Sequence, residues 1–363
     1  MKLQDRLLKY LVPAGNGVHT VQTAKDKKEK LHQVLYGTND DHIIKSIWTD
    51  HVKKIGMDRV HLLGITSDAG GGIQRGANWG PLFCRLSILN EMKKILDLGD
   101  IKTNPHLLHD KYLNDETIKS CQQAMYTGEE LPVSPLSIAE DFCADFFQHY
   151  PNRKIIFLGG DHSVSYPLVA EYLKARKQQN KKVALIHFDA HTDLLESRLG
   201  IDYCFGSWTF HILPLLETPK HLYQLGIRSS GFDRSHWETK HKHQQIWSDE
   251  INSKGAQRVA NEMISALHQL NVEELYISFD IDAIDSYYAA ATGTPEPNGM
   301  KPDQAITILK LLAENFVVSA FDLVEVAPFV NQDPKIYPNA QSTTMQTVSI
   351  ILNNMIEIMD EQS

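Results

Sequence analysis

From residue 59 onward the chain repeats one pattern. A short run of Val, Ile, Leu and Phe, bounded by Gly, Asp or Ser, gives way to a longer stretch with helical spacing. The apolar runs occupy residues 59–65, 154–158, 183–188, 221–227, 275–279 and 316–324. Near-continuous apolar runs of this length predict strands buried on both faces. Between them, stripes at three- and four-residue spacing predict helices. They are Val169, Tyr172 and Leu173; Ala305, Ile308, Leu309 and Leu312; and Val348, Ile351, Leu352, Met355 and Ile356. Alternating strands and helices imply an α/β fold, a mostly parallel sheet covered by helices on both sides.

Residues 1–58 lack an obvious strand run and read as an N-terminal helical extension packed on a main domain of residues 59–363. Within the extension, Ile43, Ile44, Ile47, Trp48 and Val52 fit one amphipathic helix. Residues 102–135, rich in Asn, Thr, Gly and Pro, read as a surface excursion between a helix and a strand. Composition adds exclusions. Of 363 residues, 36 are Lys or Arg and 45 Asp or Glu, a formal net charge of −9 that favours neither a nucleic acid nor an anionic membrane as partner. The basic run 25–30 contains Asp26 and Glu29 and reads as a solvated helix face. Four scattered cysteines without a Cys-x-x-Cys pair argue against a disulfide framework and fit reduced thiols. Charges at Lys2, Asp5, Arg6 and Lys9 interrupt the first leucines, so no signal peptide or membrane span is expected. The expectation is a soluble cytoplasmic protein.

The chemistry collects just past the C-terminal ends of four expected strands. There lie Gly159-Gly160-Asp161-His162-Ser163, Asp189-Ala190-His191-Thr192-Asp193, Asp280-Ile281-Asp282-Ala283-Ile284-Asp285 and Asp322-Leu323-Val324-Glu325. In an open parallel sheet, ligands bind in the crevice beyond those ends. In extended chain, alternate side chains share a face, so Asp189, His191 and Asp193 point together, as do Asp280 and Asp282. So many carboxylates in one cleft repel strongly unless cations neutralise them. His162, Asp189, His191, Asp193, Asp280 and Asp282 form an oxygen-rich ligand set that suits two manganese ions, or another borderline divalent metal, better than structural zinc. A water between two such ions becomes a source of hydroxide near neutral pH. Each motif alone is weak; their joint placement after buried strands is specific. Asp161 reads as a capping or supporting group, Asp285 as a turn residue, and His236, His241 and His243 as exposed loop residues.

These motifs resemble the ureohydrolase superfamily of arginase, agmatinase and formiminoglutamase over roughly residues 59–357. Ala291-Thr-Gly-Thr-Pro295, Asp322-Leu-Val-Glu-Val-Ala-Pro328 and an early element around Arg75-Gly-Ala77, Trp79-Gly-Pro81 and Arg85 support the resemblance. It implies an arginase-like three-layer α/β/α sandwich with a binuclear manganese site. One ion would take His162, Asp189, Asp193 and Asp280, and the other Asp189, His191, Asp280 and Asp282. Glu325 would pair with the substrate's guanidinium or amidine while hydroxide attacks the trigonal carbon. The resemblance also implies a homo-oligomer, a trimer or hexamer, and a small-molecule substrate.

Two departures bear on specificity. Leu194-Leu195 follows the Asp-x-His-x-Asp motif where arginases carry an Asn that reads the amino-acid end of arginine, which puts arginine itself in doubt. Phe205-Gly206 stands where arginases and many agmatinases carry a proton-transferring His-Gly; formiminoglutamases also lack that histidine. His211, in the sequence Trp208-Thr-Phe-His-Ile212, is a candidate substitute shuttle, or else a packed structural histidine. The leading expectation is an agmatinase- or arginase-like hydrolase releasing urea from a guanidino compound. The alternatives are a formiminoglutamase-like enzyme releasing formamide, and a member that keeps the metals for structure or regulation.

Overall fold

The structure, a computed structural model, describes residues 3–18 and 22–362; residues 1–2, 19–21 and 363, small parts of the two expected units, lie outside the described residues. Nine strands form one sheet: β1 (Leu11–Val12), β2 (Val60–Gly64), β3 (Ile95–Ile101), β4 (Ile155–Leu158), β5 (Val183–Phe188), β6 (Leu222–Ile227), β7 (Gln244–Trp247), β8 (Glu274–Asp280) and β9 (Val317–Val324). Their order across the sheet is β1-β3-β2-β4-β9-β8-β5-β6-β7, and every pairing is parallel except β1 with β3.

Alternate residues of the strands feed two cores. Ile156 and Leu158 of β4 pack on one face with Met263, Leu309 and Leu352 from three helices. Ile155 and Phe157 pack on the other face with Phe142, Phe146 and Leu168. Those helices are Ala256–Gln269, Pro302–Ala313 and Ala340–Glu361 on the first side, Pro135–His149 and Ser165–Gln178 on the second. The result is the expected three-layer α/β/α sandwich. No helix among the described residues is long and apolar enough to cross a membrane.

Four features differ from the sequence expectation, one of them β7, which no apolar run marks. β3 was hidden because Asp97 and Asp100 interrupt its apolar run; both are buried against Arg85, with Nε 2.7 Å from Asp97 Oδ2 and Nη1 2.6 Å from Asp100 Oδ1. The N-terminal segment is not purely helical, since Leu11–Val12 adds an antiparallel strand to β3. That approach needs Gly99, where a Cβ would come within 2.0 Å of the Val12 carbonyl oxygen. The helix Asp41–Val52 forms, capped by Asp40 and burying Ile44, Trp48 and Val52, while Ile43 faces solvent. Finally, the stretch between β3 and Pro135–His149 holds a helix of its own, Asp115–Tyr126, capped by Asn114.

Candidate metal centre

The strand order explains why four distant segments meet. β4, β9, β8 and β5 are consecutive neighbours in the sheet, so the loops after them share one rim. The Gly159-Gly160 pair lets the first loop turn inward: a Cβ on Gly160 would lie 1.6 Å from the Ser67 carbonyl oxygen. Asp161 then caps the short turn that carries His162, accepting the Ser163 N–H at 2.9 Å, as expected of it.

His162 is completely enclosed, and its two ring nitrogens are in contrasting surroundings. Nε2 lies 3.0 Å from Ser278 Oγ, and that hydroxyl donates to Asp322 Oδ1 at 2.8 Å. With its proton committed to Asp322, Ser278 accepts from Nε2–H, so that a neutral His162 would direct its Nδ1 lone pair inward. Nδ1 stands 3.1 Å from Asp189 Oδ2, 3.1 Å from Asp193 Oδ2 and 3.2 Å from Asp280 Oδ2, yet has no hydrogen-bond partner. A lone pair among three carboxylate oxygens is repulsive; a cation among them reverses the sign. The spacing fits one, since ligand atoms ~2.2 Å from a common ion and at right angles lie ~3.1 Å apart.

A second group adjoins the first through the other oxygen of Asp189. His191 Nδ1 lies 3.3 Å from Asp189 Oδ1 and 3.1 Å from Asp282 Oδ2. Asp280 and Asp282 are linked because Asp280 Oδ1 accepts the Asp282 N–H at 2.8 Å. The carboxylates are held rigidly. Trp208 Nε1 donates to Asp193 Oδ2 at 2.9 Å, the Ala190 N–H to Asp282 Oδ1 at 3.1 Å, and the Thr294 hydroxyl to Asp282 Oδ2 at 3.1 Å.

The electrostatics point the same way. Burial, then the negative charges of Asp282 and Asp189, raises the Asp280 carboxyl well above the usual range. Burial opposes a charged His162, and the three surrounding carboxylates override it, raising its pKa well above that of an ordinary histidine. A field that holds a proton this firmly also suits a metal ion.

Glu325 follows β9 in a left-handed conformation, φ 60°, and accepts the His162 backbone N–H at 2.8 Å. Burial, then the charge of Asp161, raises its carboxyl well above the glutamate range. His211 sits on the short helix Trp208–Ile212, with Nε2 3.0 Å from the Glu196 carbonyl and its ring edge-on to Tyr166 and Tyr203. Asp285 does sit in a turn, accepting the Tyr287 and Gly299 N–H groups. His243, expected as an exposed loop residue, is instead fully buried with Nε2 2.9 Å from Gln224 Oε1. His241 ends the helix Arg234–His241.

Sequence reasoning missed His187. It lies on β5 two residues before Asp189, on the same strand face, and that spacing was the available signal. Its Nε2 is 2.8 Å from Asp189 Oδ2, and Nδ1 is 3.0 Å from Gln224 Nε2. Both nitrogens are engaged, so His187 orients Asp189. It lies beside His162, Asp189 and Asp193, whose ligand atoms gather closely enough to hold an ion; Asp189, His191 and Asp282 form a second such group.

Known proteins share this framework. The human mitochondrial guanidino acid hydrolase is 29% identical over 75% of this chain and 72% of its own length. An agmatinase from Escherichia coli is 34% identical over 50% of this chain, and the match spans 54% of that relative. Among solved structures, the formimidoylglutamase of Bacillus subtilis superposes with a TM-score of 0.65 at 21% identity, covering 83% of this chain and 87% of that one. The agmatine ureohydrolase of Thermoplasma volcanium superposes with a TM-score of 0.63 at 22% identity, covering 86% and 93%. These structural likenesses support the fold. The Arginase family model matches residues 58–356, and the chain belongs to that family of hydrolases acting on carbon–nitrogen bonds.

Proposed function

We propose that the chain is a binuclear-manganese amidinohydrolase that cleaves a linear guanidino compound to urea and an amine. The observation that carries this reading is His162 Nδ1, buried, without a hydrogen-bond partner, and ringed by Asp189, Asp193 and Asp280. His162, Asp189, Asp193 and Asp280 would hold one ion, and Asp189, His191, Asp280 and Asp282 the other. When bound, the ions supply hydroxide near neutral pH and Lewis acidity at the reacting carbon.

The chain's own groups do the rest. Glu325, on the same rim, presents a carboxylate to the planar cation of the substrate, and paired hydrogen bonds orient it. That cation also relieves the cost of ionising Glu325 in a buried place. Ser278 and Asp322 set the tautomer of His162, while Trp208, Thr294 and the Ala190 amide keep the carboxylates from turning away.

One feature favours a second reading, a formimino substrate with release of formamide. Phe205 occupies the place of the proton-transferring histidine; its N–H donates to the Gly70 carbonyl at 3.0 Å. We further read the protein as a cytoplasmic homo-oligomer, a trimer or hexamer, which sedimentation would test.

The experiment is metal analysis of protein reconstituted with manganese, with urea and formamide assays on arginine, agmatine, guanidinobutyrate, guanidinopropionate and formiminoglutamate. About two ions per chain and turnover of one of these are expected. Full activity in metal-free protein would end the reading. Glu325→Gln should keep its metals and lose about 100-fold in turnover, the cost of two charge-assisted hydrogen bonds.

A further inference from the structure

A row of buried polar side chains crosses the sheet just below the metal centre. Asp322 of β9 is the register partner of Ser278 on β8, and Ser278 that of His187 on β5. His187 pairs in turn with Gln224 on β6, and Gln224 with Gln245 on β7. Register partners share a face of the sheet, and all five are fully buried. Such a row is costly unless every group is hydrogen-bonded. The β9–β8 half supports His162, as described above. The β5–β7 half leads to Asp189.

Groups that can only donate or only accept fix the direction of every bond in that half. The Trp247 indole N–H, a donor only, gives to Gln245 Oε1 at 3.0 Å. Gln245 Nε2 then donates to Gln224 Oε1 at 2.9 Å, and His243 Nε2 adds a second donor there at 2.9 Å. From the other end, the Thr192 carbonyl, an acceptor only, receives Gln224 Nε2 at 2.6 Å. Both ends therefore demand the same orientation of the Gln224 amide. Its remaining proton points at His187 Nδ1, 3.0 Å away, which has to accept it. The His187 ring proton then sits on Nε2 and is donated to Asp189 Oδ2 at 2.8 Å. The other oxygen, Asp189 Oδ1, accepts the His191 backbone N–H at 2.5 Å. One donor on each oxygen stops the carboxylate from turning.

We propose that Gln224 is a positioning residue of the metal centre, which sets the His187 tautomer and so holds Asp189 Oδ2 toward the His162 group. This rests on the metal-binding reading above. Donation runs in one direction, from Trp247 through Gln245, Gln224 and His187 to Asp189. A strand two places away from β5 thereby contributes to ion affinity without touching an ion. Thr192 belongs to the segment that carries Asp189, His191 and Asp193, so the same amide also holds that loop.

Gln224→Glu is the informative change, because a carboxylate of nearly the same shape cannot donate. It would accept from His187 Nδ1–H, and Nε2 would then turn its lone pair on Asp189 Oδ2. Manganese binding to the metal-stripped full chain, read by competition with an indicator, should weaken about 10- to 100-fold. In a His187→Phe background the same change should alter affinity by no more than about twofold, since the link is already cut. Gln224→Met, which adds no charge, runs the same cycle if the first variant does not fold. An equal loss of affinity in both backgrounds would assign Gln224 a merely structural role and overturn the proposal. Nitrogen-15 NMR of histidine-labelled, metal-free protein reads the tautomer directly, with the His187 signals identified by their loss in His187→Phe. The proton should sit on Nε2 in the wild type and on Nδ1 in Gln224→Glu; a wild-type His187 protonated on Nδ1 also overturns the proposal. If the wild type takes up no manganese, the metal reading fails, and the NMR measurement still decides whether Gln224 sets His187.

Discussion

Two groups of buried carboxylates belong to the same sheet, and the chain treats them differently. At β3, Asp97 and Asp100 face Arg85, whose guanidinium meets Asp97 through both oxygens and Asp100 through one. Asp100 uses its other oxygen to accept the Gly15 and Gly17 N–H groups, which ties the N-terminal segment to the sheet. Every charge there has a partner from within the chain, and the product is structure. After β5 and β8, Asp189, Asp193, Asp280 and Asp282 are equally buried, and they meet imidazoles and neutral donors with no Lys or Arg in ion-pair contact among the described residues. The charge deficit there is the functional feature. A cluster with an internal cation holds the fold, and one without it could hold ions that arrive from outside.

Removing those ions is the most severe way to sharpen the contrast. Chelation should abolish turnover and lower the unfolding temperature, because several carboxylates lose their counter-charges, and manganese should restore both. Asp280→Asn should strip at least one ion and cost more than 1,000-fold in turnover, as an order-of-magnitude expectation for a lost metal. Retention of full metal content in that variant would remove Asp280 from the ligand set.

The opposite variant is Arg85→Ala. It leaves two buried aspartates without their cation, and urea unfolding should show a loss of about 3–5 kcal/mol. The folded fraction should still bind manganese with unchanged stoichiometry. If metal content falls in step with stability, the two clusters are one unit and the contrast fails.

A smaller effect is expected at Ser278→Ala, which removes the acceptor that sets the His162 tautomer while leaving every proposed ligand in place. Manganese affinity, read by competition with a metal indicator, should weaken about 10- to 100-fold. Unchanged affinity would show that the strand ends alone orient His162.

The smallest change is predicted for His211→Ala. Its Nε2 is bound to a backbone carbonyl, and its ring packs against Tyr203. Turnover should fall less than about 10-fold, below the range of an essential general acid–base group. A larger loss, rescued by added imidazole, would establish the shuttle role instead.

Much of this molecule was legible in one dimension. The strands from β4 to β9, except β7, announce themselves as apolar runs because a parallel strand covered on both faces must be apolar throughout. The candidate ligands were equally visible, since period-two spacing after such a strand puts several acids and a histidine on one side. What stayed hidden breaks those rules for a local reason. β3 carries two aspartates that only Arg85 makes tolerable, and β1 is two residues long. β7 begins Gln244-Gln245, and Gln245 is satisfied by Gln224 on the neighbouring strand, 2.9 Å away. His187 and His243 looked like ordinary polar residues until Gln224 was seen to join them, at 3.0 and 2.9 Å.

The sequence by itself determined the alternation of strands and helices, the excess of acid at the strand ends and the need for cations to neutralise it. These follow from local spacing and charge count. Only the tertiary structure decided which acids face which imidazole, and that Ser278 holds the His162 ring so that Nδ1 is directed at three carboxylates. Crossover connections make β4, β9, β8 and β5 neighbours although more than a hundred residues separate some of them, and no periodicity along the chain encodes that order.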